Sequence, residues 1–189
     1  MDMKTLSLAA LAFLLLWTCA EAQVVVEFNA ALSEGAAKAL AAAAERRKKP
    51  QAARLRYSET CILRAVASHM GVTLRPDVPV PTVYYGSKTP LKQFQDAVEP
   101  QWNLRPEVFL NAYIVAKNEV YLLDEAEYYR RMKRALDDSL AHEYAHYIQV
   151  KYKGFSLEGD DSLEGQAVSE QTWFRETFIQ QDPPADFCR

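Results

Sequence analysis

His142-Glu143-Tyr144-Ala145-His146 is where residue types and spacing together point to chemistry. Residues four apart on a helix lie one turn above each other on one face, so both imidazoles reach a single metal ion. Glu143 then sits beside that ion without being needed as a ligand. Zinc held by neutral imidazole lowers the pKa of its bound water to about 7, and a neighbouring carboxylate takes the proton. The chain has 3 histidines in all, so two of them in this pattern form a specific signal. The flanks agree. Leu140, Ala141, Tyr144, Ala145, Tyr147 and Ile148 are uncharged, whereas a solvent-facing helix carries charges at several such positions.

A catalytic zinc takes three protein ligands and keeps one position open. Glu164 is the leading candidate for the third, with Gly165 leaving room around it and Ala167 allowing its helix to pack closely against the metal helix. Asp161-Ser162-Leu163-Glu164 also reads as an N-terminal capping box, so two roles compete for one carboxylate. Glu170 is the rival ligand, or else a carboxylate orienting the other nitrogen of a histidine. His69 lies far upstream at the end of an apolar stripe and reads as a core or helix-terminal histidine.

With these residues in view, His142-Glu143-x-x-His146 followed by Glu164-Gly165-Gln166-Ala167 resembles the gluzincin branch of zinc metallopeptidases, across residues 108–180. The resemblance implies His142, His146 and Glu164 as ligands of one Zn2+ and Glu143 as general base. It implies an α+β, zincin-like fold: a small mixed sheet with an edge strand beside the active-site helix, then a glutamate helix, with extra N-terminal helices. The implied activity is hydrolysis of peptide bonds in a peptide or protein substrate. Three departures stand out. Val168 occupies the place where thermolysin-like enzymes carry an aspartate, no downstream histidine is available for an oxyanion, and a large second lobe is missing. Tyr147, Tyr152 and Arg175 are the nearest substitutes for the oxyanion role. The competing reading is a catalytically inactive exported metal-binding or interaction protein of the same fold.

The surrounding pattern supplies elements to hold such a site. Phe28, Leu32, Ala36, Leu40 and Ala43 recur at helical spacing over Glu27–Lys49. Leu55, Ile62, Ala65, Val66 and His69 mark a second helix, with Gly71 at its C-cap. Thr82-Val83-Tyr84-Tyr85 reads as a short strand. Thr89-Pro90 opens a helix carrying Leu91, Phe94 and Val98. Val108–Ala116 and Glu119–Leu123 pair across Lys117-Asn118, and an extended substrate could add to the sheet edge beside that hairpin. Asp124–Lys153 holds no Gly or Pro and reads as helix, in one piece or two, and Leu163–Gln180 as the last helix.

Lys4, the apolar run Leu6–Trp17 and Ala20-Glu21-Ala22 read as a signal peptide over residues 1–22, cleaved between Ala22 and Gln23. Export to the periplasm or outside is favoured over lipidation at Cys19. The expected organisation is a helical segment at 23–71 that forms one domain with a metallopeptidase core at 72–189. In an exported chain, Cys61 and Cys188 suggest a disulfide anchoring the tail, where Pro183, Pro184 and Asp186 could lay an acidic segment over the cleft. Lys+Arg 22 against Asp+Glu 25 leaves a net charge of −3 over 189 residues. That balance argues against duplex DNA or an anionic membrane surface as partner, and no other segment is apolar and long enough to span a bilayer.

Overall fold

Thr82-Val83-Tyr84-Tyr85 forms strand β1, with the bounds that its β-branched and aromatic run predicts. The structure is a computed structural model that describes residues 51–157 and 161–181, together with Lys38. The leader, the predicted helix Glu27–Lys49 apart from Lys38, and the tail with Cys188 lie outside the described residues. Strand β3 (Glu119–Leu122) runs parallel to β1, with Thr82 opposite Glu119 and Tyr85 opposite Leu122. Strand β2 (Ala112–Ile114) lies on its other side, antiparallel, with Tyr113 opposite Val120. The order β1-β3-β2 makes β3 central and leaves β2 as an edge.

The hairpin expected across Lys117-Asn118 is present, and Asn118 takes the left-handed conformation (φ 52°) that a glycine would otherwise supply. Its side-chain carboxamide donates to the Pro79 carbonyl and accepts from the Tyr113 hydroxyl, so the turn is held from both sides. The first strand is shorter than the apolar pattern suggests. Val108 and Leu110 remain exposed, and pairing begins only at Ala112.

Helices cover both faces of the sheet. Alternation along the strands sends Ala112, Ile114 and Tyr121 to one face, where they meet Phe94, Ala97 and Val98 of α2 (Leu91–Trp102). Tyr113, Val120 and Leu122 point to the other face and join the main core. That core contains α1 (Glu59–His69), α4 (Leu136–Lys151) and α5 (Asp161–Phe174). Gly71 (φ 69°) follows α1 in the left-handed region, as a C-terminal glycine should. Leu55 packs on the core from outside the helix rather than along it.

The Asp124–Lys153 stretch contains two helices. The first, α3 (Ala126–Met132), ends at Lys133, which adopts φ 52° without being glycine. Helix α4 then starts at Leu136 and runs antiparallel to α5, with Gln149 reaching Leu163 and Asp138 facing Arg175. Five residues in a π-helical turn (Arg175–Ile179) continue α5. Helix α4 is buried on nearly every side: Leu140, Ala141, Ala145, Tyr147 and Ile148 are all 0% exposed. Its uncharged flanks therefore reflect burial, as the pattern predicts.

Candidate metal centre

Helix α4 presents His142 and His146 on one face, one turn apart, with their Nε2 atoms 3.1 Å from each other. Glu164, in the first turn of α5, faces both. Its Oε1 lies 3.3 Å from His142 Nε2 and its Oε2 lies 3.2 Å from His146 Nε2. The three residues form a His-His-Glu group that could hold a metal ion, each carboxylate oxygen of Glu164 facing one imidazole. For a tetrahedral ion with bonds of about 2.0–2.1 Å, neighbouring ligand atoms sit about 3.3 Å apart, close to each of these pairwise separations. Two imidazoles and a carboxylate suit zinc chemically as well.

Burial gives the triangle a closed side and an open one. The histidine side chains are 15% and 11% exposed, whereas Glu164 is 60% exposed. Space around Gly165 is open, and Ala167 is fully buried in the core, so α5 lies close to α4 without crowding the carboxylate. Glu164 thus faces the histidine pair.

A neutral imidazole binds metal through the nitrogen that lacks hydrogen, and a bond at the other nitrogen selects that tautomer. Gln149 supplies this bond for His146: its Oε1 lies 2.9 Å from Nδ1. The amide nitrogen of Gln149 donates to the Leu163 carbonyl at 2.9 Å and to Gln166 Oε1 at 3.0 Å. Gln149 is fully buried, and it ties the histidine helix to the glutamate helix. Sequence reading passed over it, although its place three residues beyond a ligand-type histidine was a usable signal. Nδ1 of His142 is buried with no hydrogen-bond partner among the described residues. Burial, then the neighbouring His146, lowers the His142 pKa to about 4, so this imidazole is neutral near pH 7.

Glu143 is 4% exposed and lies on the wall of the same cleft. Burial raises its pKa to about 8, the Glu164 carboxylate adds to the rise, and a backbone hydrogen bond from Tyr113 opposes it. The cleft encloses about 610 Å³, a size suited to a small ligand or a stretch of peptide. Tyr113 and Val115 from the β2 side, Trp102 from the end of α2, and Phe155 and Leu157 beyond α4 form much of its wall.

The remaining candidates fall elsewhere. Glu170 is buried and bonds His69, with Oε2 2.6 Å from Nδ1, while the His69 ring stacks on Trp173 at 3.7 Å. It orients a histidine, as one reading allowed, but not a histidine of the triad. The three proposed oxyanion partners do not line the cleft. Tyr147 donates to the Pro79 carbonyl, Tyr152 accepts from the Arg75 backbone, and Arg175 faces Asp138. Proximity in sequence did not bring them to the site: Tyr147 and Tyr152 pack ring to ring, and Arg175 lies at the far end of α5. Compared with protein-family models, curated proteins and solved structures, the chain gives no match.

Proposed function

We propose that this protein is a zinc-dependent metallopeptidase of zincin-like, gluzincin type, with His142, His146 and Glu164 as ligands and Glu143 as general base. One observation carries the reading: two imidazoles and a carboxylate converge at 3.1–3.3 Å while a second, buried carboxylate lines the same cleft without joining them. A purely structural zinc site uses four protein ligands and keeps no spare base.

When bound, zinc supplies a Lewis acid for the scissile carbonyl and acidifies the attacking water. Glu143 accepts the proton of that water and delivers it to the departing amine nitrogen. Gln149 keeps the Nε2 lone pair of His146 turned toward the ion. The substrate is a peptide lying extended along the outer edge of β2, which borders the cleft. Export fits the apolar leader and the expected Cys61–Cys188 bridge.

A second reading, an exported metal-binding or interaction protein without activity, is favoured by one observation. Among the described residues lining the cleft none is Lys or Arg, and neither Tyr147 nor Tyr152 is present. Glu143→Gln separates the two readings. The variant of residues 23–189 should retain about one zinc per chain, as wild type does, and lose hydrolysis of a peptide library. Equal turnover by both proteins, or no zinc in either, rejects the peptidase.

A further inference from the structure

The outer edge of β2 is already engaged. In the β2–β3 pair, Tyr113 faces Val120, while β3 turns the carbonyls of Asn118 and Leu122 toward the β1 side, where Thr82 and Gly86 donate to them. The main-chain groups of Tyr113 consequently point away from the sheet. The Tyr113 N–H faces the Glu143 carboxylate. Its carbonyl accepts from Gln101 Nε2 at 2.9 Å, and the Val115 N–H donates to Gln101 Oε1 at 2.9 Å. One side-chain carboxamide therefore covers an outward acceptor and the outward donor two residues further on. These are the groups with which an added strand would pair.

The position of Gln101 is built. Helix α2 lies on the sheet through Phe94, Ala97 and Val98, and its last turn brings Gln101 to the outer edge of β2. Asn103 in the left-handed conformation ends the helix, its N–H donating to Glu99. Arg105 folds the following loop back onto Asp96 and Glu99, and Gln95 holds the Pro106 carbonyl. Gln101 and its neighbour Trp102 face the cleft together.

We propose that the Gln101 carboxamide is a resident substitute for a peptide group, and that an incoming extended peptide pairs with β2 by exchanging it. The inference rests on the docking edge proposed above and adds a filter to it. Replacing two neutral hydrogen bonds with two of the same kind gains little net free energy. A peptide displaces Gln101 only by adding apolar contacts with Trp102, Phe155 and Leu157 on the cleft walls. The selected class is an uncharged, apolar stretch within a polypeptide, and short polar peptides stay out.

The test uses metal-free protein, so that its outcome does not depend on hydrolysis. The probe is a pool of acetylated, amidated nonapeptides randomised over uncharged residues at the five central positions. Binding is read from the amide signal of Val115 in isotopically labelled protein. Wild type should bind the pool, with the Gln101 side-chain amide signal shifting in the same titration. Gln101→Ala should bind about tenfold more tightly, since two competing hydrogen bonds are gone. Gln101→Met keeps the length without the amide and serves if the alanine variant folds poorly. Equal affinity for wild type and both variants overturns the exchange, and no binding to any of them overturns the docking edge itself. Binding that follows the expected order in a protein that never cleaves peptide leaves this inference standing and rejects only the peptidase.

Discussion

Gln149 Oε1 stands 2.9 Å from Nδ1 of His146, three residues earlier on the same buried helix. The same side chain donates to the carbonyl of Leu163, the residue before Glu164. One amide thus sets the tautomer of a histidine and the approach of the carboxylate beside it.

Gln149→Leu should lower zinc affinity about 10- to 100-fold while leaving every donor in place. A competition titration against a zinc chelator measures this. Stability should also fall by about 1–3 kcal/mol in metal-free protein, because the Leu163 carbonyl loses a buried donor. Unchanged zinc affinity would show that the His146 tautomer is set elsewhere.

The two glutamates of α5 should separate cleanly. Glu164→Gln should weaken zinc binding by more than about 100-fold with little effect on the stability of the metal-free fold, since its side chain is 60% exposed. Glu170→Gln should do the reverse, because Glu170 is buried and bonds His69. Chelator competition and urea unfolding on the two variants form the check, and an exchange of phenotypes would move the third ligand to Glu170.

Asp138 links stability to pH. It is fully buried in the first turn of α4, where it accepts from the Ala135 N–H at 3.2 Å and faces Arg175 at 3.5 Å. Burial raises its pKa to about 6, with the Ala135 backbone, Arg175 and Arg134 pulling the other way. A folded pKa above the unfolded value means that the folded state binds more protons between about pH 4 and 6. Stability therefore falls as pH rises through that window, and the full cost, up to about 3 kcal/mol, is present above it. Asp138→Asn should remove this slope in metal-free protein unfolded with urea from pH 4 to 7. The difference from wild type isolates Asp138 from His142, whose lowered pKa acts with the opposite sign. Parallel curves would contradict the assignment.

The metal group was legible because its signal is residue type plus spacing. The i, i+4 histidines need only a helix, and Gly165 and Ala167 beside Glu164 already describe a close, roomy helix contact. Strand β1 was legible for a similar reason, its four residues being β-branched or aromatic without interruption. A division into two pieces was among the expectations, but its place at Lys133 was not legible. A lysine in the left-handed region carries no mark in the sequence, although the Lys133 and Arg134 N–H groups close the helix end on Arg130 and Tyr129. Gln101 and Gln149 escaped notice because a neutral carboxamide looks like surface until its partners are known. Those partners are a strand edge and a facing helix.

Arg56 and Tyr57 hold the open end of the α4–α5 hairpin. Their backbone N–H groups donate to Asp137 Oδ1 at 2.8 and 2.9 Å, in the first turn of α4. The Arg56 guanidinium and the Tyr57 hydroxyl reach the carbonyls of Ile179 and Phe178 in the π-helical turn. Two adjacent residues thereby clasp the start of one helix to the end of the other, remote in sequence from His142, His146 and Glu164. A proteolytic nick between residues 54 and 58 would release that clasp and let the hairpin splay. Such a cut would disarm the donor triangle from a distance, without entering the cleft or altering any residue in it.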